Sequence, residues 1–548
     1  MREMSGGDAV YETLRALGVE HVFGIVSVHN IPMYDAILRG GGITPIGVRH
    51  EQGALHAADG YSRATGKLGV AITSTGPGAT NSMTGLFEAS FASSRVLMIT
   101  GQIDSTYYGK GRGFLHEAEN QLAMLRTVTG HAESVRRPEQ IGETIFRAAA
   151  DVMTGRPRPA AVEIPVDFQY ARAEIEIPAV EGWPQPRPLR AAIEQAAELL
   201  GSAKRPVIWS GGGVITADAS ASLLKLAEAL QAPVFTSVNG RGAIPEDHPL
   251  AMGPLPQQPQ FTPIIDEADV VLAVGTRFQA GATRNWSLKI PGKLIHLDAD
   301  PGVIGRSYTP DVAIPGDARL GLAAILQSLD GRGRTDEAFV KRAQAVRDEV
   351  RAQIRHDIGP DYSTIMDTMR ELLPDDGNIV RDATVPAYLW GNRAIPILKP
   401  RTSLHPTSAA IGPALPLAIG AAIGSAKKTA VIQGDGGFML NIGELATAVQ
   451  YNVPIIVCVF NDRGYGVLRS IEGRTFEGRQ FGVDLATPDF AMVARGMGMH
   501  GETVSGVDAF RDAFGRAVAS DGPVLLDIDM SVLAPMGGLG TPPPKAKS

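Results

Sequence analysis

The sequence predicts an α/β fold of doubly wound parallel sheets, mainly because of the order of its apolar segments. Short runs rich in β-branched residues alternate along the 548-residue chain with longer amphipathic or small-residue stretches. Fully apolar strands between helices are typical of parallel sheets that are covered on both faces. The clearest such runs are residues 69–73, 95–100, 206–210, 270–275 and 293–298.

Two linker-like segments divide the chain into three parts of ordinary domain size. Residues 173–188 are rich in proline and glutamate, and residues 335–358 form a charged helical stretch after a completed α/β unit. We therefore expect three domains, followed by a Gly/Pro/Lys-rich mobile tail. The predicted limits are 1–172, 189–334 and 359–535 for the domains and 536–548 for the tail.

Composition and charge exclude several classes of protein. Hydrophobic residues make up 44% of the chain and charged residues 20%, as in ordinary folded proteins. The net charge is −7 without a Lys/Arg cluster, which argues against nucleic acid or an anionic membrane as a partner. The longest apolar run, residues 453–460, is far shorter than the roughly 20 residues that span a bilayer. A single cysteine and the absence of a signal-peptide pattern predict a cytoplasmic location.

The segment from residue 429 to residue 466 has the pattern of a ligand-binding α/β unit. We predict a strand at 429–432, a glycine-rich turn, a helix at about 441–451, a strand at 455–460 and a second glycine-rich turn. Ligands of open α/β sheets bind beyond the carboxyl ends of the strands. The two glycine-rich turns are therefore the first candidates for a binding site.

Phosphate and metal binding are both favoured by the residues at these turns. Gly434, Gly436 and Gly437 allow the backbone to approach a phosphate closely, and the start of the following helix favours an anion. Asp435 and Asn461 provide oxygen ligands of the kind that suit Mg²⁺. Each glycine-rich segment, taken alone, is also consistent with an ordinary turn that binds no ligand. An ordinary turn, however, gives no reason for a second oxygen-bearing side chain at the end of the next strand.

The GDG turn followed at this distance by an asparagine resembles the signature of the thiamine diphosphate enzymes. The flanking sequence, GELATAVQYNVPI, is similar to that of acetolactate synthase large subunits and related 2-oxo acid decarboxylases. The resemblance implies that Mg²⁺ binds to Asp435, Asn461 and the main-chain oxygen of Arg463. It also implies backbone contacts to the diphosphate from Gly436, Gly437, Tyr465 and Gly466.

A second landmark is the sequence RHEQGA at residues 49–54. Glu51 is predicted to open a helix of small residues, and tight packing of such a helix would leave its carboxyl group poorly solvated, as acid–base work requires. A helix N-terminal glutamate favoured by the helix dipole is the alternative. RHEQGA matches the family pattern, so the resemblance implies that Glu51 protonates the cofactor's N1′ and thereby activates thiazolium C2.

Residues 408–422 resemble the segment that holds this cofactor in its bent conformation. The resemblance implies that Ile411 is an apolar wedge beneath the two rings and that the Ala409 carbonyl accepts from the 4′-amino group. A buried Ala/Gly-rich helix is the other interpretation, and both can hold together. Because the resemblance covers nearly the whole chain, it implies a pyrimidine-binding, a central Rossmann-like and a diphosphate-binding domain, in that order.

The resemblance implies decarboxylation of a 2-oxo acid through a C2 ylid and an enamine, with protonation or carboligation as the next step. The first loop lacks the Pro-Gly-Gly turn of the synthases, and His116 stands near a glutamine of their next loop. The loops that contain His29 and His116 instead resemble those of decarboxylases that act on larger, guanidino-type 2-oxo acids. The two histidines are therefore candidate proton donors. The alternative is two polar loop residues that face water. Gln102 matches a glutamine common to the synthases and is a further candidate.

The central domain has Rossmann-like features at residues 210–214, 275–278 and 296–301, where acetolactate synthases hold FAD. The Gly-Met-His-Gly stretch of FAD-bearing enzymes is replaced by GPLPQQPQ at residues 253–260, which favours a site without flavin. An oxidase that uses FAD together with thiamine diphosphate is the alternative. A non-enzymatic protein that keeps the fold is another, but Glu51, Asp435 and Asn461 are all present.

The candidate site residues also predict an oligomer. Glu51 and Asp435 lie on separate α/β units, and in the resembling family the two halves of each site come from different subunits. A two-fold pairing then gives two sites per dimer. The resemblance therefore implies a homodimer at minimum, with a homotetramer favoured.

Overall fold

The computed structural model describes residues 1–179 and 181–537, and it confirms the α/β fold class. Three six-stranded sheets contain all but two of the described strands. Every pairing within these sheets is parallel. The remaining two strands, β1 (Arg2–Ser5) and β8 (Arg172–Ile175), form an antiparallel ribbon.

The N-terminal sheet has the strand order 3-2-4-5-7-6. Its strands are β2 (His21–Gly24), β3 (Thr44–Gly47), β4 (Gly69–Thr73), β5 (Val96–Gln102), β6 (His131–Ser134) and β7 (Ala160–Pro165). Its helices are α1 (Gly6–Ala16), α2 (Ile31–Gly40), α3 (Glu51–Thr65), α4 (Pro77–Asn81), α5 (Met83–Ala92), α6 (Gln121–Arg126), α7 (Ile141–Met153) and α8 (Val166–Tyr170). Every residue of β4, β5 and β7 is buried, as expected of strands with helices on both faces.

The central sheet has the strand order 11-10-9-12-13-14. Its strands are β9 (Pro206–Ser210), β10 (Val234–Thr236), β11 (Ala251–Gly253), β12 (Val270–Val274), β13 (Lys293–Asp298) and β14 (Val312–Pro315). Its helices are α9 (Arg190–Ser202), α10 (Gly212–Thr216), α11 (Ser220–Leu230), α12 (Thr262–Glu267) and α13 (Ala318–Leu329).

The C-terminal sheet has the strand order 16-15-17-18-20-19. Its strands are β15 (Asn378–Arg381), β16 (Ser403–Leu404), β17 (Thr429–Gly434), β18 (Ile455–Asn461), β19 (His500–Val504) and β20 (Val524–Asp529). Its helices are α14 (Glu337–Leu372), α15 (Ala414–Ser425), α16 (Asp435–Phe438), α17 (Glu444–Gln450), α18 (Gly466–Thr475), α19 (Phe490–Gly496) and α20 (Val507–Ala519). A π-helical turn at Ala387–Gly391 follows β15.

Each sheet has a central switch point, where the chain returns past the first strand of the sheet and continues on the other side of that strand. These points lie between β2 and β4, between β9 and β12, and between β15 and β17. The crevice beyond the carboxyl ends of the strands at such a point is where open α/β sheets bind ligands. The fold therefore provides three places to look for a site.

Two predicted helices differ from those observed. The stretch at 335–358 begins at Glu337 and continues to Leu372, with a break at Gly359, whose φ of 79° and ψ of 173° are not helical. Pro360 lacks an amide hydrogen and fits the first turn of the second segment, so the chain resumes a helix there. The helix at 441–451 is only α17, and the GDG turn itself forms the separate short helix α16.

Several predicted strands also have different ends. The strands at 95–100, 429–432 and 455–460 continue to Gln102, Gly434 and Asn461, whereas the strand at 270–275 stops before Gly275, which has φ 57°. The three predicted domain limits stay predictions. Residues 538–548 of the predicted tail lie outside the described residues. Among the described residues, no helix is long and apolar enough to cross a bilayer.

The N- and C-terminal domains meet along α3 and α15. A β-carbon on Gly60 would lie 2.0 Å from the Leu417 carbonyl oxygen, and one on Gly420 would lie 1.8 Å from that of Ala57. Glycine at both positions lets the two helix backbones approach closely. This contact joins the helix that begins at Glu51 to the helix that follows Ile411.

Candidate active site

The predicted metal ligands lie side by side at the switch point of the C-terminal sheet. Asp435 directly follows β17 and Asn461 ends β18, and these neighbouring strands pair in register up to Gly434 and Phe460. Asp435 is fully buried, and its Oδ2 accepts a hydrogen bond from the Gly464 amide at 2.8 Å. Its Oδ1 is buried without a hydrogen-bond partner. An unpaired buried carboxylate oxygen is costly, and a divalent cation would satisfy it.

Two hydrogen bonds orient the side chain of Asn461. Its Nδ2 donates to Asp527 Oδ1 at 3.1 Å, and its Oδ1 accepts from the Arg463 amide at 3.2 Å. The predicted third ligand, the Arg463 carbonyl oxygen, already accepts hydrogen bonds from the Leu485 amide and from Arg469. It is therefore less available than Asp435 Oδ1, and its role as a ligand stays a prediction.

A second carboxyl group, that of Asp462, lies beside Asp435. Burial, followed by the charge of Asp462, raises the pKa of Asp435 well above its usual range. Arg469 Nη1 lies 3.3 Å from Asp462 Oδ2 and faces this second carboxylate. Among the described residues, no cluster of three or more His, Cys, Asp or Glu side chains is arranged to hold a metal. A cation at Asp435 would therefore need amide, main-chain, water or phosphate oxygens as well, a set that suits Mg²⁺.

The glycines around this turn lie so close to neighbouring side chains that none of their positions has room for a side chain of its own. A β-carbon would lie 2.6 Å from a neighbouring side-chain atom at Gly434 and at Gly436, 3.0 Å at Gly437 and 2.0 Å at Gly466. At Gly436 that neighbour is the ring of Tyr465. These contacts disfavour any side chain, and a bare backbone at the start of a helix suits an anionic group such as a diphosphate.

The predicted ring-binding loop is held at its far end by Asp382. The Gly412 amide lies 2.9 Å from each oxygen of Asp382, and Gln433 Nε2 donates to Oδ2 at 2.6 Å. Gly412 has φ 99° and Ala409 has φ 64°, so the loop turns twice through the left-handed region. Ile411, between them, is 39% exposed. An apolar side chain left accessible at a switch point suits the predicted wedge beneath a cofactor.

The near end of the same loop is held by the N-terminal domain. Glu88 of α5 is fully buried and accepts from the Thr407 amide at 2.6 Å, the Ser408 amide at 3.0 Å and the Ser408 hydroxyl. Arg63 of α3 donates to the His405 carbonyl at 2.7 Å and lies 3.7 Å from Glu88. The conformation of the loop therefore depends on two domains.

Glu51 is the first residue of α3, as predicted, and follows the N-cap residue His50. Its Oε2 accepts from Asn81 Nδ2 at 3.0 Å. A β-carbon on Gly78 would lie 3.2 Å from Oε1, so glycine there leaves space beside the carboxylate. Glu51 is half-buried. Among the described residues, no hydrogen bond or ion pair joins Glu51 to Asp435 within one chain.

His29 and His116 lie together at the switch point of the N-terminal sheet, with ring centroids 4.9 Å apart. His29 is only 3% exposed, and its Nδ1 is buried without a hydrogen-bond partner. Burial, followed by the charge of His116, lowers the pKa of His29. His116 is half-buried, has φ 65°, and its Nδ1 lies 3.4 Å from Ser74 Oγ. The alternative of two water-facing loop residues is therefore wrong for His29.

Gln102 lies at the end of β5 and is fully buried. It donates to Glu163 Oε2 at 3.2 Å and accepts from the Thr75 hydroxyl at 3.3 Å. Glu163 also accepts from Gln121 Nε2 at 3.1 Å and from Tyr108 hydroxyl at 2.9 Å. Gln102 thus belongs to a buried network that Tyr108 joins to the loop containing His116.

The central sheet has a cavity at its own switch point. A β-carbon on Gly211 would lie 2.1 Å from the Gly275 carbonyl oxygen, so the two glycines bring the loops after β9 and β12 together. Burial lowers the pKa of Arg277 to about 10 and raises that of Asp298 to about 6. The charged side chains of the lining include Arg95, Arg156, Arg277, Arg401 and Asp298. An excess of arginines suits an anionic ligand such as a nucleotide.

Sequence reasoning missed the buried carboxylates that hold the loops. Asp382 directly follows β15 as Asp435 directly follows β17, but β15 contains only two apolar residues between Asn378 and Arg381, so its strand pattern is too short to find in the sequence. Glu88 and Glu444 lie in helices, where no local pattern distinguishes them from ordinary helix residues. Their roles depend on partners far away in the sequence.

Comparison with protein families gives three matches that follow one another along the chain. Residues 4–124 match the N-terminal TPP binding domain of the thiamine pyrophosphate enzymes. Residues 193–325 match the central domain of these enzymes, and residues 386–528 match their C-terminal TPP binding domain. The matches confirm the resemblance that the two sequence landmarks predict.

Similar proteins include both synthases and a decarboxylase. A probable acetolactate synthase large subunit of Methanocaldococcus jannaschii is 34% identical over 99% of this chain and 94% of its own length. A probable 2-ketoarginine decarboxylase of Pseudomonas aeruginosa is 37% identical over 91% of this chain and 89% of its own. The acetolactate synthase isozyme 2 large subunit of Escherichia coli is 32% identical over 97% of this chain and 96% of its own length.

Proposed function

The chain belongs to the thiamine pyrophosphate enzymes of acetolactate synthase and 2-oxo acid decarboxylase type, and from this we propose that it decarboxylates a 2-oxo acid with thiamine diphosphate and Mg²⁺. The observation that carries the proposal is the unpaired, buried Oδ1 of Asp435 beside the oriented amide of Asn461. Bound thiamine diphosphate supplies the electron sink that allows a 2-oxo acid to lose CO₂.

In this proposal the C-terminal domain binds the charged end of the cofactor. Asp435 and Asn461 would hold the cation, and the backbone of Gly436 and Gly437 would accommodate the diphosphate. The exposed side chain of Ile411 would pack beneath the rings. The carboxylates at both ends of the loop would keep that side chain in place.

Glu51 would hold the proton that activates the cofactor. Asn81 fixes Oε2, and the space beside Gly78 leaves Oε1 free to share its proton with N1′. A carboxyl group fixed by one hydrogen bond and partly shielded from water is suited to such acid–base work.

Protonation of the product is the step that the histidine pair supports. Burial lowers the pKa of His29, whereas the half-buried His116 is the more accessible ring and would be the one that donates to the product. The decarboxylase among the relatives supports this ending, and the synthases support carboligation as the competing outcome.

A panel of 2-oxo acids tests the reaction. Purified protein with added thiamine diphosphate and Mg²⁺ would be given pyruvate, 2-oxobutyrate and 5-guanidino-2-oxopentanoate, with CO₂ and products measured by mass spectrometry. Aldehyde as the main product is expected. A 2-hydroxy-2-methyl-3-oxo acid as the main product would instead establish carboligation, and CO₂ release from none of the acids would contradict the proposal.

The cavity of the central domain favours a second candidate, an oxidase that also binds FAD. Its arginines suit a dinucleotide, whereas the sequence at 253–260 favours a site without flavin. We expect colourless protein that is fully active without FAD. A stoichiometric yellow chromophore in the purified protein would favour the oxidase.

The proposal also includes assembly into a homodimer at minimum, with a homotetramer favoured. It is supported by the lack of a polar contact between Glu51 and Asp435 in the described part of a single chain. A two-fold pairing would bring the half-site of one subunit to the complementary half-site of the next.

A further inference from the structure

Glu444 in the C-terminal domain binds the backbone directly before Glu51. Glu444 begins α17, and its carboxylate is buried, with 2% of the residue exposed. Oε1 accepts hydrogen bonds from the amides of Arg49 and His50, both at 3.1 Å. Oε2 lies 3.3 Å from the Arg49 amide and accepts from the Thr447 hydroxyl at 2.6 Å.

The amides that Glu444 binds belong to the two residues directly before Glu51. His50 is the N-cap residue of α3 and Glu51 is its first helical residue, so the backbone at 49–50 determines how the helix begins. The Tyr451 hydroxyl accepts from the Gly47 amide at 2.7 Å, which fixes the chain a little further upstream. Glu444 and Tyr451, at the two ends of α17, thus bind three of the four backbone amides at residues 47–50, directly before Glu51.

Burying a carboxylate between two domains costs free energy, because the charge loses its contact with water. Burial raises the pKa of Glu444, and among the described residues no salt bridge offsets its charge. An apolar side chain would pack at this position without that cost. What the side chain adds is one acceptor oxygen within reach of two backbone amides, those of Arg49 and His50.

We propose that Glu444 is a positioning residue that sets the orientation of Glu51 for proton transfer to the cofactor. The inference rests on the proposed function, because it needs Glu51 to act on bound thiamine diphosphate. It also means that the C-terminal domain of each chain positions the Glu51 of that same chain, which in the proposed dimer acts on the cofactor held by the other subunit. A misplacement of about 1 Å in such a group can cost about 10²-fold in rate.

Two conservative substitutions separate position from charge. Glu444→Gln keeps a carbonyl oxygen at full reach for the two amides, whereas Glu444→Asp keeps the charge but is one methylene shorter and loses that reach. The readouts are the C2 proton exchange of bound thiamine diphosphate, by NMR, and the affinity for thiamine diphosphate with Mg²⁺, by calorimetry. We expect exchange within about threefold of wild type for Glu444→Gln and a loss of about 10²-fold for Glu444→Asp, with unchanged affinity in both.

A third variant disturbs the contact without touching Glu444. A β-carbon on Gly53 would lie 2.3 Å from Glu444 Oε1, the end of a flexible side chain, and Gly53 lies inside α3. Gly53→Ala should therefore fold, push the carboxylate away from the amides and lower C2 exchange as Glu444→Asp does. Thr447→Val is the matched control, since it removes only the hydroxyl partner of Oε2 and should leave exchange near wild type.

The outcomes distinguish this inference from the proposed function. Wild-type exchange in Glu444→Asp and Gly53→Ala, while Glu51→Gln loses exchange, would overturn the role of Glu444 alone. A loss in Glu444→Gln as large as in Glu444→Asp would overturn it as well, because charge would then be what counts. Wild-type exchange in Glu51→Gln would contradict the proposed function itself. If Glu444→Asp does not fold, Gly53→Ala decides the question.

Discussion

The rings of His29 and His116 lie 4.9 Å apart, and the buried ring has the lowered pKa. Two imidazolium groups at this distance would repel each other, which adds to the effect of burial in lowering the pKa of His29, and the half-buried His116 is the more accessible ring of the pair. We expect His116→Gln to lower steady-state turnover by about 10²-fold or more while leaving the CO₂ released in a single turnover unchanged. If the CO₂ released in a single turnover falls as much as steady-state turnover does, His116 acts at or before decarboxylation instead.

Asp435→Ala should abolish binding of Mg²⁺ and thiamine diphosphate. The substitution removes the buried carboxylate whose free oxygen would meet the cation, and it leaves the diphosphate charge uncompensated. Calorimetry with and without Mg²⁺ measures the effect, and Asp512→Ala, at an exposed carboxylate of α20, serves as a control. Unchanged cofactor affinity in Asp435→Ala would show that the metal lies elsewhere.

Glu51→Gln should bind the cofactor as tightly as wild type but lose C2 proton exchange. Glutamine keeps the shape and the contact with Asn81 but cannot pass a proton to N1′. General acid–base groups contribute about 10²–10⁴-fold, and a loss in that range is expected. NMR measurement of exchange decides the matter, with Asn81→Ala expected to show a smaller loss because it removes only the orienting hydrogen bond.

A mixture of Glu51→Gln chains and Asp435→Ala chains should regain activity. If each site combines Glu51 of one subunit with Asp435 of the other, a mixed dimer contains one site in which both groups are intact. About one quarter of wild-type activity is expected when the two chains mix freely in equal amounts, because half the dimers are then mixed and each has one good site. Confirmed subunit exchange with no activity would rule out the shared site.

His56 makes the protein less stable in acid. It is fully buried in α3, its ring nitrogens have no hydrogen-bond partner, and burial together with Arg63 lowers its pKa from 6.5 to about 3. Between these values the unfolded chain binds a proton that the folded chain does not, so stability falls as the pH drops below 6.5. At pH 5 the loss from this group is about 2 kcal/mol.

Urea unfolding at pH 7 and pH 5 tests this assignment, with His56→Leu as the comparison. The variant should lose about 2 kcal/mol less than wild type between the two pH values. The same pH dependence in both proteins would mean that His56 is protonated or solvated in the folded state.

The sequence was sufficient for the fold class and for the two landmarks, since both depend on local patterns. The alternation of apolar runs and helices predicts the three sheets, and Asp435 and Asn461 stand at strand ends that the pattern locates. Local sequence patterns could not predict contacts between residues that lie far apart in the chain, such as those of Glu88 with Ser408 and of Glu444 with His50. They also missed that Gln102 belongs to a buried network, because burial of a polar side chain depends on its tertiary neighbours.

The close contact of α3 with α15 has a consequence for synthesis of the chain. The glycine of α15 is residue 420 and its counterpart in α3 is residue 60, so 360 residues are translated between them. At about 5–20 residues per second, the N-terminal domain waits about 20–70 s on the ribosome before its partner helix exists. During that time the α3 surface is uncovered, including the ring of Tyr61, but the alanine and glycine at residues 57 and 60 add little apolar area for a wrong partner. A close-packed face of small residues therefore protects the nascent chain as well as joining the finished domains.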